Sequence, residues 1–218
     1  SERFAYEVND DTGQAITATA TVQVLPAGSD RNSNVVTLTL VGVNDLPTFS
    51  ELTPGLQMTD KETVRPFANV TLVDRDEHGE QLLTVTVTLD DAAKGLLRNL
   101  GGFMETTPGT YTLRAKPAEV TTALRGLVFA PTENRIPVPT NETTRLTLTA
   151  NDGWVTVTND TTTVEVIAVN DPPTLTGVVA GQRVYHRLTL RPFAGVTITE
   201  VDDLLLQPLR VTVTLSQA

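Results

Sequence analysis

Residues 83–89 read Leu-Thr-Val-Thr-Val-Thr-Leu, and residues 209–215 read Leu-Arg-Val-Thr-Val-Thr-Leu. Strict alternation puts every second side chain on the same side of an extended chain. Each stretch therefore predicts a β-strand with an aliphatic face turned inward and a threonine face turned outward. Threonine is the commonest polar partner throughout: 38 residues, about one in six of the 218, against only ten aromatics. A core built from this chain must be Val, Leu and Ile packed behind threonine-rich strands.

The two stretches are also copies of each other. Sliding the chain by 126 positions lays Val43–Ala92 over Val169–Ala218 without a gap, and 22 of the 50 aligned positions are identical. VNDLPT matches VNDPPT (from Val43 and Val169), RPFANVTL matches RPFAGVTI (from Arg65 and Arg191), and QLLTVTVTL matches QPLRVTVTL (from Gln81 and Gln207). A period of 126 residues is the size of a domain. The start of the chain follows the same scheme, since FAYEVNDD (Phe4–Asp11) resembles LTLTANDG (Leu146–Gly153). Asp10 and Asp45 are 35 residues apart, against 19 for Asp152 and Asp171, so about 16 residues are inserted around PAGSDRNSN. The expected organisation is the C-terminal part of one repeat over 1–43, a complete repeat over 44–169 and the N-terminal part of a third over 170–218, a window on a longer tandem array.

Further strands are expected at Pro66–Leu72, Thr110–Arg114, Gly126–Phe129, Arg145–Ala150 and Thr161–Val169, separated by Gly, Pro, Asn and Asp. Pro117–Leu124 is the one expected helix, with proline in its first turn and Val120, Ala123 and Leu124 on one face. About seven antiparallel strands per repeat predict an all-β fold of tandem seven-stranded Greek-key sandwiches, immunoglobulin-like, each with at most one short helix. A propeller or β-helix would need a shorter period.

Acids outnumber bases 26 to 16, for a net charge of −10, which argues against nucleic acid as a partner. Without cysteine there are no disulfides and no thiolate metal sites. No apolar run approaches the ~18 residues of a membrane span, so membrane insertion is not expected.

Acidic residues gather at the repeat junctions (Asn44-Asp45, Asn170-Asp171), at two turns (Asp74-Arg75-Asp76-Glu77 and Glu200-Val201-Asp202-Asp203) and at Asn151-Asp152-Gly153. An all-oxygen set suits a hard cation, and calcium above magnesium, which keeps its waters. If the turn segments are extended, residues i and i+2 point the same way, so Asp74 with Asp76, and Glu200 with Asp202, would converge on one ion. Pro47 and Pro172 bias the junctions toward extended backbone. The same residues are also turn-formers, because Asp and Asn cap their own backbone.

Catalysis is not expected. His78 aligns with Leu204 and His186 with Asp60, so no histidine recurs, and no G-x-S-x-G elbow occurs. Paired carboxylates can cleave glycosides, but an acid pattern that repeats per domain fits ligation better. Trp154, Tyr111 and Tyr185 offer a sugar-stacking alternative without evident spacing, while Phe67 and Phe193 read as core. Asn69, Asn141 and Asn159 head N-x-T sequons.

The N-D-x-P-T boundary, the D-x-D turn about 30 residues later and the A-N-D-G turn before the last strand resemble the cadherin-like repeats found in tandem in large surface adhesins, bacterial ones above all. The resemblance spans the whole chain. It implies an extracellular structural module in which calcium is held between successive repeats by Asn44, Asp45, Asp74, Asp76 and Asp152 at the first junction. At the second, the implied set is Asn170, Asp171, Glu200 and Asp202. Its implied partners are neighbouring repeats of the same chain and other copies in a fibre or surface layer, with polysaccharide as the alternative. The chain departs from the family in lacking the L-D-R-E motif. Asp60 and Glu62 stand where the family's first-strand glutamate is expected, but they align with His186 and Leu188.

Overall fold

The computed structural model of the chain describes residues 2–9, 15–22, 43–76, 80–202 and 208–215, the first two stretches as backbone only. Among the described residues the architecture is all-β with a single α-helix, and the chain divides into two compact units, Ser1–Val43 and Asn44–Ala218. The inserted PAGSDRNSN segment lies outside the described residues.

In the first unit, β1 (Glu2–Asn9) pairs antiparallel with β2 (Ala15–Val22), in register from Glu2↔Val22 to Asn9↔Ala15. The second unit continues with β3 (Thr48–Ser50), β4 (Leu56–Thr59), β5 (Thr71–Val73), β6 (Leu83–Leu89), β7 (Gly95–Arg98), β8 (Met104–Thr107), β9 (Thr110–Ala115), α1 (Pro117–Gly126), β10 (Val128–Pro131), β11 (Asn141–Asn151), β12 (Thr156–Ile167), β13 (Thr174–Thr176) and β14 (Thr197–Thr199).

Six of these strands form one sheet in the order β4-β12-β11-β6-β9-β8, and β3-β5 and β7-β10 form two-stranded pairs. β6 lies inside the large sheet, bonded to β11 on one edge and β9 on the other. Its alternation is realised as expected: Leu83, Val85, Val87 and Leu89 are buried while Thr84, Thr86 and Thr88 are half-buried on the opposite face. Leu146, Leu148 and Ala150 of β11, Val164 and Val166 of β12, Met58 of β4 and Tyr111 of β9 complete the buried face. Phe67, Val70, Leu72, Phe129 and the α1 residues Val120 and Leu124 belong to the same core. The hydroxyl of buried Tyr111 accepts from the Leu97 N–H at 3.1 Å, tying β9 to β7. Proline opens α1, Pro117, Val120, Ala123 and Leu124 are its buried face, and the helix runs two residues beyond the expected Leu124.

Within 44–169 three expectations need correction. Among the described residues, 44–169 carry ten strands, β3 to β12, rather than about seven, because β3, β4, β7 and β8 are three- or four-residue strands without legible alternation. The pairing is not wholly antiparallel either, since β4 runs parallel to β12. The segment Pro66–Leu72 is mostly a turn: Ala68 N–H donates to Arg65 O (3.4 Å) and Val70 N–H to Phe67 O (3.1 Å), so strand β5 begins only at Thr71. Proline, which lacks an N–H, suits a turn and not a ladder.

Beyond residue 169 the same devices recur at the 126-residue spacing. β13 pairs β14 as β3 pairs β5, with Thr174↔Thr199 standing for Thr48↔Val73. The Arg191–Val196 turn repeats the bonds of Arg65–Val70. The expected strand over 209–215 does not form. Val211, Val213 and Leu215 are exposed, Leu215 by 92%. Their counterparts in β6 are held by β9 and β11, and among the described residues no such strands flank 209–215. Phe193 is likewise 55% exposed, against 1% for Phe67. The expectation that Phe193 is a core residue therefore fails for the same reason.

Gly95 marks the tightest approach in the core. A Cβ there would stand 2.4 Å from Ala130 O and 2.8 Å from the Phe129 ring, where β7 meets β10. Gly95→Ala is expected to destabilise the second unit by about 2 kcal/mol, the usual range for overpacking, read as a lowered urea midpoint. An unchanged midpoint would mean that β7 and β10 separate freely.

Candidate metal centre

The register of β11 on β6 puts Asn151 opposite Thr84, so the turn after β11 lies beside the residues that lead into β6. Gln81 Nε2 there donates to Asp152 O at 2.7 Å. Gly153, at φ 99°, lets the chain reverse after Asp152. Asp152 Oδ1 accepts from Trp154 N–H and Val155 N–H, both at 2.7 Å, and Asn151 Oδ1 accepts from Gly153 N–H at 2.9 Å. The second Asp152 oxygen accepts from Asn44 Nδ2 at 2.9 Å, which brings the start of the repeat to the end of its central sheet.

The D-x-D turn joins the same place. Asp74 Oδ1 accepts from Asp76 N–H (3.0 Å), and Asp76 Oδ2 accepts from Asp45 N–H (2.9 Å). All five expected residues of the first seam, Asn44, Asp45, Asp74, Asp76 and Asp152, are thus neighbours, although Asp74 and Asp76 meet through a capped turn and not through an extended segment. Glu77 and His78 lie outside the described residues. A cleft of about 530 Å³, lined by Asn44, Asp45, Leu46, Thr48, Val73 and Arg75, adjoins the linker.

Among the described residues, two oxygens here are buried without a hydrogen-bond donor, Asp74 Oδ2 and Gln81 Oε1. Asp74 is only 4% exposed. Burial pushes its carboxyl above the ordinary value of 3.8; the Asp76 N–H opposes this, and the charges of Asp76, Asp152 and Asp45 push further upward. Burial also works against ionised Asp152, but the Val155 N–H, the Asn44 amide and the Trp154 N–H together hold it below its ordinary value. Gln81 was not singled out in the sequence, although its recurrence as Gln207 in the QLLTVTVTL block carried the signal.

The donor set is wholly oxygen and negatively charged, and its one orphaned carboxylate oxygen is buried among like charges; by chemistry these residues fit a hard divalent cation. In the arrangement described, however, no group of three or more His, Cys, Asp or Glu side chains is placed to hold an ion among the described residues. Several of the carboxylate oxygens are turned to backbone N–H groups and the Asn44 amide instead.

The second seam repeats the linker geometry. Asn170 Nδ2 donates to Asp171 O at 2.9 Å, as Asn44 does to Asp45 O. The Asp171 N–H donates to Asp202 Oδ2, and Glu200 Oε1 accepts from Val201 N–H and Asp202 N–H at 2.9 and 3.2 Å. Residues from the far end of the complete repeat also reach it. Lys61 Nζ pairs with Asp171 Oδ1 and donates to Asn170 O at 3.3 Å. Asp60 Oδ1 accepts from Val169 N–H (3.2 Å) and Oδ2 from Asn134 N–H (3.4 Å). Turned end for end, the orientation in which both its oxygen and its nitrogen are satisfied, the Asn134 amide donates to Asp202 Oδ1 (2.9 Å) and Asp171 Oδ2 (3.1 Å). Glu62 faces elsewhere, for its carboxylate accepts from the backbone and hydroxyl of Thr59.

Of the aromatic candidates, Tyr111 is core, whereas Trp154 is 81% exposed beside Asp152 and Tyr185 is exposed on the segment after 169. Asn69 and Asn141 are exposed; Asn159 is half-buried and caps Thr161 N–H.

Asp74 sets a pH signature for the metal-free protein. Its raised folded value means the native state holds that proton more tightly, so its ionisation costs stability as pH rises from 3.8 through the folded value. Asp152, with a lowered value, contributes stability that is lost only as pH falls below 3.8. Without divalent ions at pH 7, Asp74→Asn is expected to stabilise the protein by about 1 kcal/mol, the scale of an unsatisfied buried group. That gain should vanish below pH 3.8. Urea unfolding of both proteins across pH 3–7 measures it, and a variant less stable at pH 7 would show that Asp74 is satisfied as it stands.

Scans against protein-family models and against curated proteins match nothing, so the functional reading rests on the geometry.

Proposed function

We propose that the chain is a structural extracellular module of a tandem array, built of β-sandwich repeats of Greek-key type and stiffened by calcium where one repeat follows another. The observation that carries this reading is the buried, donorless Oδ2 of Asp74, gathered with Asp45, Asp76, Asp152 and Asn44 at the linker. Unit charges 4 Å apart interact by about 4 kcal/mol at an effective dielectric of 20, so neutralising such a set is worth a hinge. Calcium supplies that neutralisation and replaces the missing donors with its own charge. Asp45 and Asn44 belong to the linker, Asp74 and Asp76 to the turn after β5, and Asp152 to the turn after β11. Holding all three together therefore ties the linker residues to the turns that follow β5 and β11. A cell-surface fibre is the setting in which such stiffness is useful, and millimolar extracellular calcium is the setting in which a site this sparse fills.

A threonine-rich surface and the net charge of −10 keep such a module apart from its neighbours in solution. The repeat of turns, strand pairs and linker bonds at 126 residues supports the tandem reading, and none of these features organises a cleft with a nucleophile. One observation favours a second reading, a carbohydrate-binding module: Trp154 presents its ring to solvent at a turn. Loss of polysaccharide retention with Trp154→Ala, under conditions where Asp74→Asn has no effect, would support it.

Trp154 also provides the test of the first reading. Excited selectively, it should sensitise luminescence of terbium bound beside Asp152, and calcium should displace the signal. With a dissociation constant near 0.1 mM, 1 mM calcium would add about 1.4 kcal/mol, a rise of about 3–5 °C in Tm for a chain of this size. Asp74→Asn combined with Asp76→Asn should abolish both effects. No terbium signal and no Tm change up to ~1 mM calcium would remove the metal from the model of the array.

A further inference from the structure

We propose that the ammonium group of Lys61 is the resident cation of the second seam, so that this seam closes without a divalent ion. The assignment rests on the reading above, that seams are closed by neutralising gathered carboxylates. It changes what does the neutralising. At the second seam both carboxylate oxygens of Asp171, of Asp202 and of Asp60 have a donor. Lys61 and Asn134 serve the two oxygens of Asp171, while Asn134 and the Asp171 N–H serve those of Asp202. Val169 N–H and Asn134 N–H serve those of Asp60. Among the described residues none of these oxygens is buried and donorless, in contrast to Asp74 at the first seam.

The local chain explains how the lysine arrives there. Asp60 N–H extends the parallel β4–β12 ladder by bonding Ile167 O at 3.0 Å, which holds the turn after β4 against the exit of β12. Asp60 then clamps Val169 N–H, and the next residue, Lys61, is delivered to Asn170 O and Asp171. Glu62 stabilises the turn from behind through Thr59. The hydrogen bond to Asp171 raises the affinity of Lys61 for its proton, burial opposes this, and the charges of Asp171, Asp202 and Asp60 raise it further, so the ammonium is charged at neutral pH. A tethered ammonium has one positive charge and no need of extracellular calcium.

The device is not unique to one copy by sequence. Lys61 aligns with Arg187 at the 126-residue shift, so a base recurs at this position although its neighbours Asp60 and Glu62 become His186 and Leu188.

Hydrogen exchange of the full 218-residue chain, read on peptides covering 169–176 and 197–202, separates the possibilities. In the wild type, protection of this seam is expected to be the same with 1 mM calcium as with chelator at matched ionic strength. Lys61→Met should speed exchange there by about threefold or more, the scale of a partly exposed ion pair. Lys61→Arg, which keeps the charge, should stay near wild type. Lys61 is on a surface turn, and unchanged exchange in β6 and β11 will show that the body of the repeat remains folded. Wild-type protection that rises with calcium, or a Lys61→Met seam as protected as wild type, would overturn the assignment. Failure of calcium at the first seam would appear separately, as a silent Trp154–terbium signal, and leaves this result legible.

Discussion

The register of β6 against its two neighbours is the constraint on which the rest of the second unit depends. β6 is hydrogen-bonded along both edges, and its four aliphatic side chains are buried on one face. A slip of one residue would turn Leu83, Val85, Val87 and Leu89 to the outer side and three threonines into the core. Burying these aliphatic side chains is worth roughly 1.5–3 kcal/mol each, so the correct register is favoured by a margin no surface contact could offset. That same register fixes where β11 ends relative to where β6 begins. Asp152 and Gln81 meet for this reason, and Asn44 then brings the linker to Asp152.

The acids at the seams have two duties that compete. As turn-formers they turn oxygens toward backbone N–H groups, which satisfies donors that would otherwise be lost on burial. As ion ligands they need those oxygens free. Asp152 shows the first duty fully met, with three donors and a lowered pKa. Asp74 shows the conflict, with one oxygen used by Asp76 N–H and the other buried with nothing to accept from. The second seam resolves the same conflict with side chains from the preceding repeat, since Lys61 and Asn134 reach acids that their own turns leave partly unserved. Among the described residues, the acids of the two copies are thus met by different donors.

Much of this was legible. Alternation identified β6, β9, β11 and β12, and proline followed by a short apolar face identified α1. The 126-residue shift located equivalent linkers and turns whose bonds the structure repeats atom for atom at Asn44 and Asn170. Less legible were β3, β4, β7 and β8, too short for any period to show. The strand expected over Pro66–Leu72 is mostly a turn, and Pro66, which lacks an N–H for a ladder, was the better guide. Lys61 was passed over because nothing local marks it; its role comes from the parallel pairing of β4 with β12, a contact 108 residues apart in the chain.

The sequence alone determined the periodicities: which residues alternate, where the chain repeats, and that its acids recur at linker and turn. Those properties are local, set by side-chain chemistry and by the two-residue repeat of an extended backbone. Only the tertiary structure decided which of the acids keep a free oxygen and which are answered by a lysine, an asparagine or a backbone N–H. Partner choice depends on distances across the sheet, and a linear code of residue types does not contain them until the strands have paired.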